Sequence, residues 1–485
     1  MQRMKFYIVS GDIIVKFTKG GTKMKRVASA FLILCLIFLS ACSNNEPTEP
    51  EVVQEPTQEP VATPQAQPDD YEPEERPLRT ITIEGTLPSG VDFADLERLV
   101  NEFYRENEQS MVGFSVAVFV GDYVILDNYY GFIGGTAPDF EIRNSPDAIF
   151  AWGSTTKTLI WVSAMQLYER GLLDLNADIR EYLPDGIVSL REDSDPVTML
   201  HLMNHTSGLS KSPDADHILF NITRNLMDFD HHIIGQTIWT DATADDFDLG
   251  TFLMSLELSQ EWFHARTGEI WQLGSIVTAL AGYIVENISG MPFYEYVNTN
   301  IFEPLGMTHT ALAPGLSDNQ VVREQWEQHR FSRFWIDSAT MTIHDGVWVE
   351  SRWFDFTFSM YPADNAYGTI SDLLRYAQAL MPDEDGNSPL FENSETLAKM
   401  LTVSHDPSET NSDGPRMHHG FVDVSTIFPA FADRTTPVIG HGGSALYGTS
   451  LMIIDIENNI GLTFMTNVGA EELFLIEIIR LVFGE

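Results

Sequence analysis

The residues with the clearest chemical potential are a serine and a lysine three positions apart, Ser154 and Lys157. Side chains at this spacing on a helix lie on the same face, one turn apart. The apolar run Thr158–Tyr168 follows and predicts a core helix with both residues at its start. Lys157 can activate the Ser154 hydroxyl only if it loses its proton, because a free lysine has a pKa near ~10.4. Burial and the positive end of the helix would both lower that pKa.

The composition is that of an acidic, globular chain. The 485 residues include 70 Asp and Glu against 28 Lys and Arg, which gives a formal net charge of −42. This charge excludes nucleic acid and anionic membrane surfaces as expected partners. A hydrophobic fraction of 44% is enough for a full core, and the length suits one large or two ordinary domains.

Residues 1–42 have the layout of an N-terminal extension followed by a bacterial lipoprotein signal peptide. Basic residues precede the apolar run at residues 27–41, which is short for a transmembrane span and typical of a secretory signal. The run ends in Leu39-Ser40-Ala41-Cys42, which resembles the lipobox. That resemblance implies that Cys42 is acylated and begins the mature protein. A plain signal peptide or a single membrane anchor is the alternative.

The cysteine count and the composition shift after the signal define the rest of the organisation. Cys35 would leave with the signal and Cys42 would carry lipid, so the mature part would contain no disulfide and no cysteine nucleophile. Residues 43–77 are rich in Pro, Glu, Gln and Thr and predict a disordered acidic tether. Residues 78–485 then form one folded domain, which we expect outside the cytoplasm and in contact with the membrane only through the lipid.

Hydrophobic patterns in residues 78–485 predict an α+β fold. Strands at both ends would share one antiparallel sheet, with helices flanking it and a mainly helical middle region. The predicted elements are a short strand at Thr80–Thr86, a helix at Asp92–Glu106, a hairpin of Gly113–Val120 with Tyr123–Tyr130, a hairpin of Ser450–Ile456 with Ile460–Thr466, and a last helix at Glu471–Val482.

Several motifs follow one another in an order typical of one enzyme family. They are Ser154-Thr155-Thr156-Lys157, Leu172–Leu175 with Tyr182–Pro184, His205–Leu209, Ile301–Met307 and Gly440–Gly443. On these motifs, residues 114–467 resemble the serine β-lactamase and penicillin-binding D-Ala-D-Ala peptidase family, and within it the class C branch with its esterase and carboxypeptidase relatives. The resemblance implies a serine hydrolase that needs no metal or organic cofactor. Its substrate would be a small molecule or derived from peptidoglycan: a stem peptide, a β-lactam or a simple ester.

The resemblance also assigns roles to residues of the first and third motifs. It implies that Ser154 is the nucleophile that forms an acyl-enzyme, and that Lys157 is the general base or a charge acting on another base. It implies an edge strand that brings Gly443 opposite the serine, where the absent side chain admits substrate. His441 would face the leaving group or a substrate carboxylate. The amides of Ser154 and Ser444 would form the oxyanion hole.

The second motif of the family, Tyr-x-Asn, is degenerate in this chain. Leu273 stands where the tyrosine is expected, and Ser275 where the asparagine is expected. A leucine cannot accept a proton, so three accounts are open. Lys157 alone is the base; a tyrosine such as Tyr447 or Tyr361 reaches the site; or the site does not turn over and the domain is a binding protein of the cell envelope.

Two long segments have functional and structural interpretations. Lys211–Trp262 is acidic, and Glu324–Met360 is rich in aromatic residues. They could wall the cleft and favour an apolar acyl group, or simply pack as inserted local structure. His217, His231 and His232 lie near aspartates in the first segment, but their spacing fits no strong metal-binding motif. A solvated acidic loop is therefore expected there.

Overall fold

The computed structural model describes most of the predicted folded domain. The described residues are 5–9, 12–16, 83–107, 113–137, 140–189, 195–209, 248–256, 258–259, 265–312, 322, 331–332, 335–337, 342–344, 349–350, 361–410, 414–426, 438–445, 448–466 and 472–484. The predicted lipid site Cys42, the tether at residues 43–77 and the histidines His217, His231 and His232 lie outside them. Those expectations stay predictions.

Strands form the framework of the domain, and two further strands, β1 and β2, lie in the N-terminal extension and pair with each other. In chain order, the strands are β1 Lys5–Val9, β2 Asp12–Lys16, β3 Gly113–Val120, β4 Tyr123–Ala137, β5 Phe140–Arg143, β6 Phe150–Ala151, β7 Val188–Ser189, β8 Leu258–Ser259, β9 Thr310–Leu312, β10 Phe331–Ser332, β11 Trp335–Asp337, β12 Thr342–His344, β13 Val349–Glu350, β14 Ala366–Gly368, β15 Met417–His418, β16 Phe421–Asp423, β17 Val438–Ala445, β18 Gly448–Asp455 and β19 Ile460–Thr466.

Helices cover both faces of this framework. They are α1 Phe93–Asn107, α2 Lys157–Glu169, α3 Met199–Met203, α4 Leu249–Ser255, α5 Ser275–Ser289, α6 Phe293–Val297, α7 Glu303–Leu305, α8 Tyr361–Asp364, α9 Ile370–Ala379, α10 Ser394–Met400, α11 Pro407–Thr410 and α12 Glu472–Phe483. In the described part of the chain, no single helix is long and apolar enough to span a membrane. The pair Ser275–Ser289 and Phe293–Leu305, bent by 77°, meets that test only jointly, by length and composition.

One antiparallel sheet joins the two ends of the domain, as predicted. Its strand order is β15-β16-β17-β18-β19-β3-β4-β5, so the hairpin from the start of the domain lies beside the strands from its end. The β3 strand pairs with β19 from Phe114↔Thr466 to Val120↔Ile460. Both predicted hairpins are present, although β4 runs on past Tyr130 because β5 pairs with that extension.

The sheet is buried on both faces because its strands alternate between two hydrophobic cores. In β3, Phe114, Val116 and Val118 enter one core, whereas Ala117 and Phe119 enter the other. The first core is closed by α1 and α12, and the second by α2, α5 and α9. This period-two alternation explains why β3 reads as a continuous apolar run, since all of its positions except the partly exposed Val120 are buried.

The predicted strand at Thr80–Thr86 is wrong for the residues that the structure describes. Residues 83–85 are not in a strand, and Thr86 forms only an isolated bridge with Asp92. A tight turn reverses the chain directly before α1, closed by hydrogen bonds from the Leu87 amide to the Val91 carbonyl oxygen and from the Gly90 amide to the Leu87 carbonyl oxygen. An apolar alternation of a few residues is too weak a signal to exclude such a turn.

The two long segments are described only in part. From Lys211–Trp262, the β8 strand pairs in parallel with β7 through Val188↔Leu258. From Glu324–Met360, the four short strands form two antiparallel pairs, β10 with β13 and β11 with β12. The second segment therefore contains regular local structure.

Packing in the second core can be tested at Leu280, a fully buried residue of α5. We expect Leu280→Ala to lower the free energy of unfolding by about 2–5 kcal/mol, because it removes buried methyl groups and leaves a cavity. Leu172→Ala is the control, since Leu172 is 52% exposed and its truncation should change stability by less than about 0.5 kcal/mol. Urea denaturation measures both; equal effects would contradict the assigned core.

Candidate active site

The serine of the first motif lies in a buried turn at the start of α2. Residues Gly153–Thr156 form a single 3₁₀ turn that continues directly into α2 at Lys157. Ser154 is 7% exposed and Lys157 is 1% exposed. The Lys157 Nζ atom donates a hydrogen bond of 2.8 Å to the Ser154 Oγ atom. The spacing of three residues therefore places the amine against the hydroxyl, as the helical geometry requires.

The ammonium group of Lys157 has three acceptors around it. Besides Ser154 Oγ, its Nζ atom donates to the carbonyl oxygen of Ala363 at 2.9 Å and to Asp364 Oδ1 at 2.8 Å. The contact with Asp364 is also an ion pair. A lysine that is almost wholly buried needs such partners, because an unpaired charge in the protein interior is very costly.

Asp364 is the functional candidate that the sequence patterns did not reveal. Its Oδ1 atom accepts a hydrogen bond of 3.1 Å from Ser154 Oγ, and its Oδ2 atom accepts one of 3.1 Å from Ser275 Oγ. Its side chain is 26% exposed, so solvent or a ligand can reach it. One carboxylate thus joins the first motif to the degenerate second motif.

Burial by itself raises the pKa of Asp364, since it disfavours the charged carboxylate. The positive charge of Lys157 and the hydrogen bonds from Lys157, Ser154 and Ser275 outweigh this and hold the pKa below the usual aspartate value. The group is therefore a carboxylate at neutral pH. In this state it can accept a hydrogen bond, or a proton, from the serine hydroxyl.

A small second sheet brings Asp364 to the serine. Its strand order is β6-β14-β9, and β6 ends two residues before Gly153 whereas β14 begins two residues after Asp364. The strands pair through Tyr367↔Ala151, and the Trp152 amide donates to the Ala366 carbonyl oxygen at 2.8 Å. Because these pairings hold β6 and β14 side by side, Ser154, which follows β6, and Asp364, which precedes β14, lie close together.

The second-motif segment is held by the His-Thr-Ser-Gly-Leu signature. The Gln272 amide donates to the His205 carbonyl oxygen, and the Gly268 amide donates to that of Thr206, each at 2.7 Å. The α5 helix then begins at Ser275. The degenerate motif therefore still reaches the site, although it supplies a serine hydroxyl where the family has an asparagine.

Tyr361, one of the two tyrosines considered in the sequence analysis, does not take the place of Leu273. Tyr361 is buried, and its hydroxyl accepts a hydrogen bond of 3.3 Å from the Tyr294 amide. Burial raises the pKa of Tyr361 far above its ordinary value, which disfavours a tyrosinate base. Tyr447 lies outside the described residues.

The third motif lies on β17, which is an inner strand and not the predicted edge strand. Two short strands, β16 and β15, lie beyond it. However, β16 pairs with β17 only at Ile439 and Gly440, so the half of β17 that starts at His441 extends past its neighbour. Over this half the strand lies against the serine turn: the Thr155 hydroxyl donates to the His441 carbonyl oxygen at 3.4 Å.

Gly443 is the point of closest approach between β17 and the serine turn. A Cβ atom at this position would collide with the Trp152 carbonyl oxygen and lie 2.9 Å from the Ser154 nitrogen. The neighbouring Ser450 hydroxyl on β18 also donates to that carbonyl at 2.6 Å. Only glycine fits here, and Ser444 follows it on the same strand, paired with Thr449.

His441 is buried and uncharged at neutral pH. Its Nδ1 atom lies 2.8 Å from the Gly442 carbonyl oxygen. Burial, together with the positive charge of Lys157, lowers the pKa of His441 to about 4. A neutral imidazole can donate or accept one hydrogen bond at a ligand, but it cannot neutralise a ligand carboxylate.

A sequence profile described as Beta-lactamase matches residues 94–481. The chain belongs to the beta-lactamase family. The Protein flp of Staphylococcus aureus strain N315 is 22% identical over 41% of this chain; the chain covers 34% of that protein, about a third of its length. Esterase EstB of Burkholderia gladioli is 27% identical over 67% of this chain and 79% of its own.

A solved structure shows the same fold. The octameric penicillin-binding protein homologue from Pyrococcus abyssi superposes with a TM-score of 0.57 at 20% sequence identity, over 81% of this chain and 77% of that one. At this level of identity the match establishes the fold. The family includes hydrolases, among them esterases, carboxypeptidases and amidases.

The predicted site residues of this beta-lactamase-family protein converge in the fold. Ser154, Lys157 and Ser275 share one hydrogen-bonded group through Asp364, and Gly443 packs against it. Their catalytic roles remain predictions. The sequence signal for Asp364 was weak: it is a single acidic residue just before β14, without a motif around it. Among the described residues no cluster of His, Cys, Asp or Glu is arranged to hold a metal ion.

The fit of β17 against the serine turn can be tested with Gly443→Ala. Since the new methyl group would push the strand away from Ser154, we expect the rate of Ser154 modification by a fluorophosphonate to fall about 10²–10³-fold, as when an oxyanion-hole donor is lost.

The matched control is Gly274→Ala. A Cβ atom there would lie 3.4 Å from Val277 Cγ2, an ordinary contact, so the rate should stay within about threefold of wild type. An unchanged rate in Gly443→Ala, with the fold intact by circular dichroism, would contradict the close approach.

Proposed function

We propose that this protein is a serine hydrolase that cleaves an ester or amide through an acyl-Ser154 intermediate. One observation carries the proposal: the Ser154 Oγ atom lies between Lys157 Nζ at 2.8 Å and Asp364 Oδ1 at 3.1 Å. A hydroxyl that receives a hydrogen bond from a cation and donates one to a carboxylate is arranged to lose its proton as it attacks. The esterase name of the relative EstB agrees with this chemistry.

The surrounding groups can stabilise the charge that develops during the reaction. Attack of Oγ on a carbonyl carbon places negative charge on the carbonyl oxygen, which backbone amides can bind. The amides of Ser154 and Ser444 are the proposed donors, since Gly443 holds that part of β17 against the serine turn. Such a donor is worth about 10²–10³ in rate. Lys157 stabilises the serine oxygen itself.

The electrostatics of the site favour some substrate classes over others. Because His441 is neutral at pH 7, the third motif offers no positive side chain at that position to a substrate carboxylate. Asp364 adds a negative charge close to the serine. We therefore favour esters and amides that need no carboxylate contact at His441 over β-lactams and peptidoglycan stem peptides, which carry one.

The alternative is a binding protein of the cell envelope that has lost turnover. Leu273 favours it, because the family tyrosine is missing. Asp364 counts against it, because the carboxylate supplies a second ionisable group beside Ser154. We therefore place the hydrolase first.

Covalent labelling tests the proposed function directly. We expect the wild-type protein to react with a fluorophosphonate, and Ser154→Ala to lose all labelling because the attacking oxygen is gone. Ser163→Ala is the control: Ser163 is also a buried serine of α2, but its hydroxyl bonds only the Leu159 carbonyl oxygen among the described residues. Absence of labelling of folded wild type at every pH would support the binding protein instead.

We also propose that the mature protein is attached to the outer face of the bacterial cell membrane through lipid on Cys42. The support is the run of basic residues, the apolar segment at residues 27–41 and the sequence Leu39-Ser40-Ala41-Cys42. The acidic tether at residues 43–77 would then hold the hydrolase away from the bilayer.

Metabolic labelling with a palmitate analogue in a bacterial host checks the anchor. We expect label on the wild-type protein and on Cys35→Ala, but none on Cys42→Ala, because only the latter loses the acceptor thiol. Cys42→Ala should also move from the membrane fraction to the soluble fraction of the cell envelope. Label that persists in Cys42→Ala would refute lipidation at this residue.

A further inference from the structure

The position of the missing tyrosine raises the question of which group removes the proton from Ser154. Leu273 cannot do so, and Tyr361 is engaged with the backbone of another helix. The remaining ionisable groups in contact with the Ser154 hydroxyl, among the described residues, are Lys157 and Asp364. Their hydrogen bonds distinguish them.

Lys157 is the donor in each of its three hydrogen bonds. Its three acceptors are Ser154 Oγ, the Ala363 carbonyl oxygen and Asp364 Oδ1. An ammonium group has three hydrogens and no lone pair, so the three contacts account for all of them. A carbonyl oxygen can only accept, and the ionised carboxylate at 2.8 Å accepts as well. In this arrangement Lys157 cannot receive the serine proton.

Asp364 has the opposite pattern and accepts on both oxygens. Oδ1 accepts from Ser154 and Lys157, and Oδ2 accepts from Ser275. Because Lys157 already donates to the Ser154 oxygen, the serine hydrogen points towards Asp364. Ser275 fixes the second oxygen of the carboxylate, so the residue in the asparagine position of the degenerate motif orients the group that replaces the tyrosine.

We propose that Asp364 is the general base of this site, that Lys157 acts as a fixed ammonium beside it, and that Ser275 is a positioning residue for the carboxylate. This proposal rests on the proposed acyl-Ser154 chemistry and deepens it. It explains how the chain can lack the family tyrosine and keep a proton acceptor within hydrogen-bonding distance of the nucleophile.

The ionisation state of Asp364 agrees with this role. Burial would favour the neutral acid, but the charge of Lys157 and the three donors lower the pKa below the usual aspartate value. The base form is therefore present at neutral pH. A carboxylate of low pKa is a weak base, and Lys157 compensates by stabilising the serine oxygen as its negative charge develops.

The proton and the electron pairs balance through both halves of the reaction. In acylation, Ser154 Oγ forms a bond to the acyl carbon and its proton moves to Asp364 Oδ1. The bond to the leaving alcohol or amine then breaks, and Asp364 returns the proton to it. In deacylation, Asp364 takes a proton from water, the water oxygen bonds the acyl carbon, and Ser154 leaves with that proton. The products are a carboxylic acid and an alcohol or amine.

Isosteric substitution separates basicity from shape. In the full-chain protein, we expect Asp364→Asn to lower the rate of acylation by a fluorophosphonate about 10²–10⁴-fold, the usual contribution of a general base. Asp364→Glu keeps the carboxylate and should recover part of that loss. Ser275→Ala should lower the rate less than Asp364→Asn does, because it frees only Oδ2. Thermal melting confirms that each variant is folded at the assay temperature.

The control carboxylate is Asp372, which is buried and accepts from the His309 amide and the Thr310 hydroxyl. Asp372→Asn should keep the wild-type acylation rate as long as it is folded. If Asp372→Asn and Asp364→Asn lose the same activity, the effect is structural and the proposal fails.

The pH profile and chemical rescue give readouts that a structural role would not change. Because the lowered pKa keeps Asp364 ionised, the wild-type rate should be flat above about pH 5 and fall only in more acidic solution. This acid limb should be absent from Asp364→Asn. In Asp364→Ala, added formate should restore acylation in proportion to its concentration, whereas it should not do so in Lys157→Ala.

Two results would overturn the assignment of Asp364. One is an acylation rate in Asp364→Asn within threefold of wild type. The other is a wild-type rate that rises tenfold per pH unit between pH 7 and 9, as a neutral-lysine base would require. Failure of the proposed function looks different, since wild type itself would then show no labelling that depends on Ser154.

Discussion

The buried ion pair between Lys157 and Asp364 is the interaction on which the candidate site depends. Lys157 is almost completely removed from water, and the loss of its partner would leave an uncompensated charge, at a cost of about 3–5 kcal/mol. The same pair organises the chemistry, because both groups contact the Ser154 oxygen. The Asp364 carboxylate, which compensates the buried charge of Lys157, therefore also orients the Ser154 hydroxyl.

Two sheets hold the residues of this pair in place. The large sheet presents the extending half of β17, and Gly443 allows it to approach the serine turn more closely than any side chain would. The small sheet pairs the strand before the serine with the strand after Asp364. The serine turn therefore contacts both sheets, and α5 contributes the Ser275 hydroxyl, which donates a hydrogen bond to Asp364. Such fixed surroundings suit a site whose donors must be in position before the reaction begins.

The family match and the missing tyrosine no longer conflict. In the sequence, Leu273 left a lysine base, a tyrosine from elsewhere and a loss of turnover as competing accounts. The structure offers a carboxylate in hydrogen-bonding distance of the nucleophile, held by the serine that stands in the asparagine position. Ser275, in the asparagine position of the motif, thus shares one hydrogen-bonded network with a residue from another part of the chain.

The sequence by itself determined what depends on local spacing and on hydrophobic period. It predicted the α+β class, the helices α1 and α12 to within one residue, both hairpins of the shared sheet, and the one-turn separation of Ser154 and Lys157. Only the tertiary structure decided that β17 is an inner strand, that residues 83–85 lie outside any strand, and that Asp364 faces the serine. Asp364 is one of 70 acidic residues and is separated from Lys157 by 207 positions. No local pattern encodes such a contact, because it arises from the pairing of two short strands and from the need of a buried ammonium for a counter-charge.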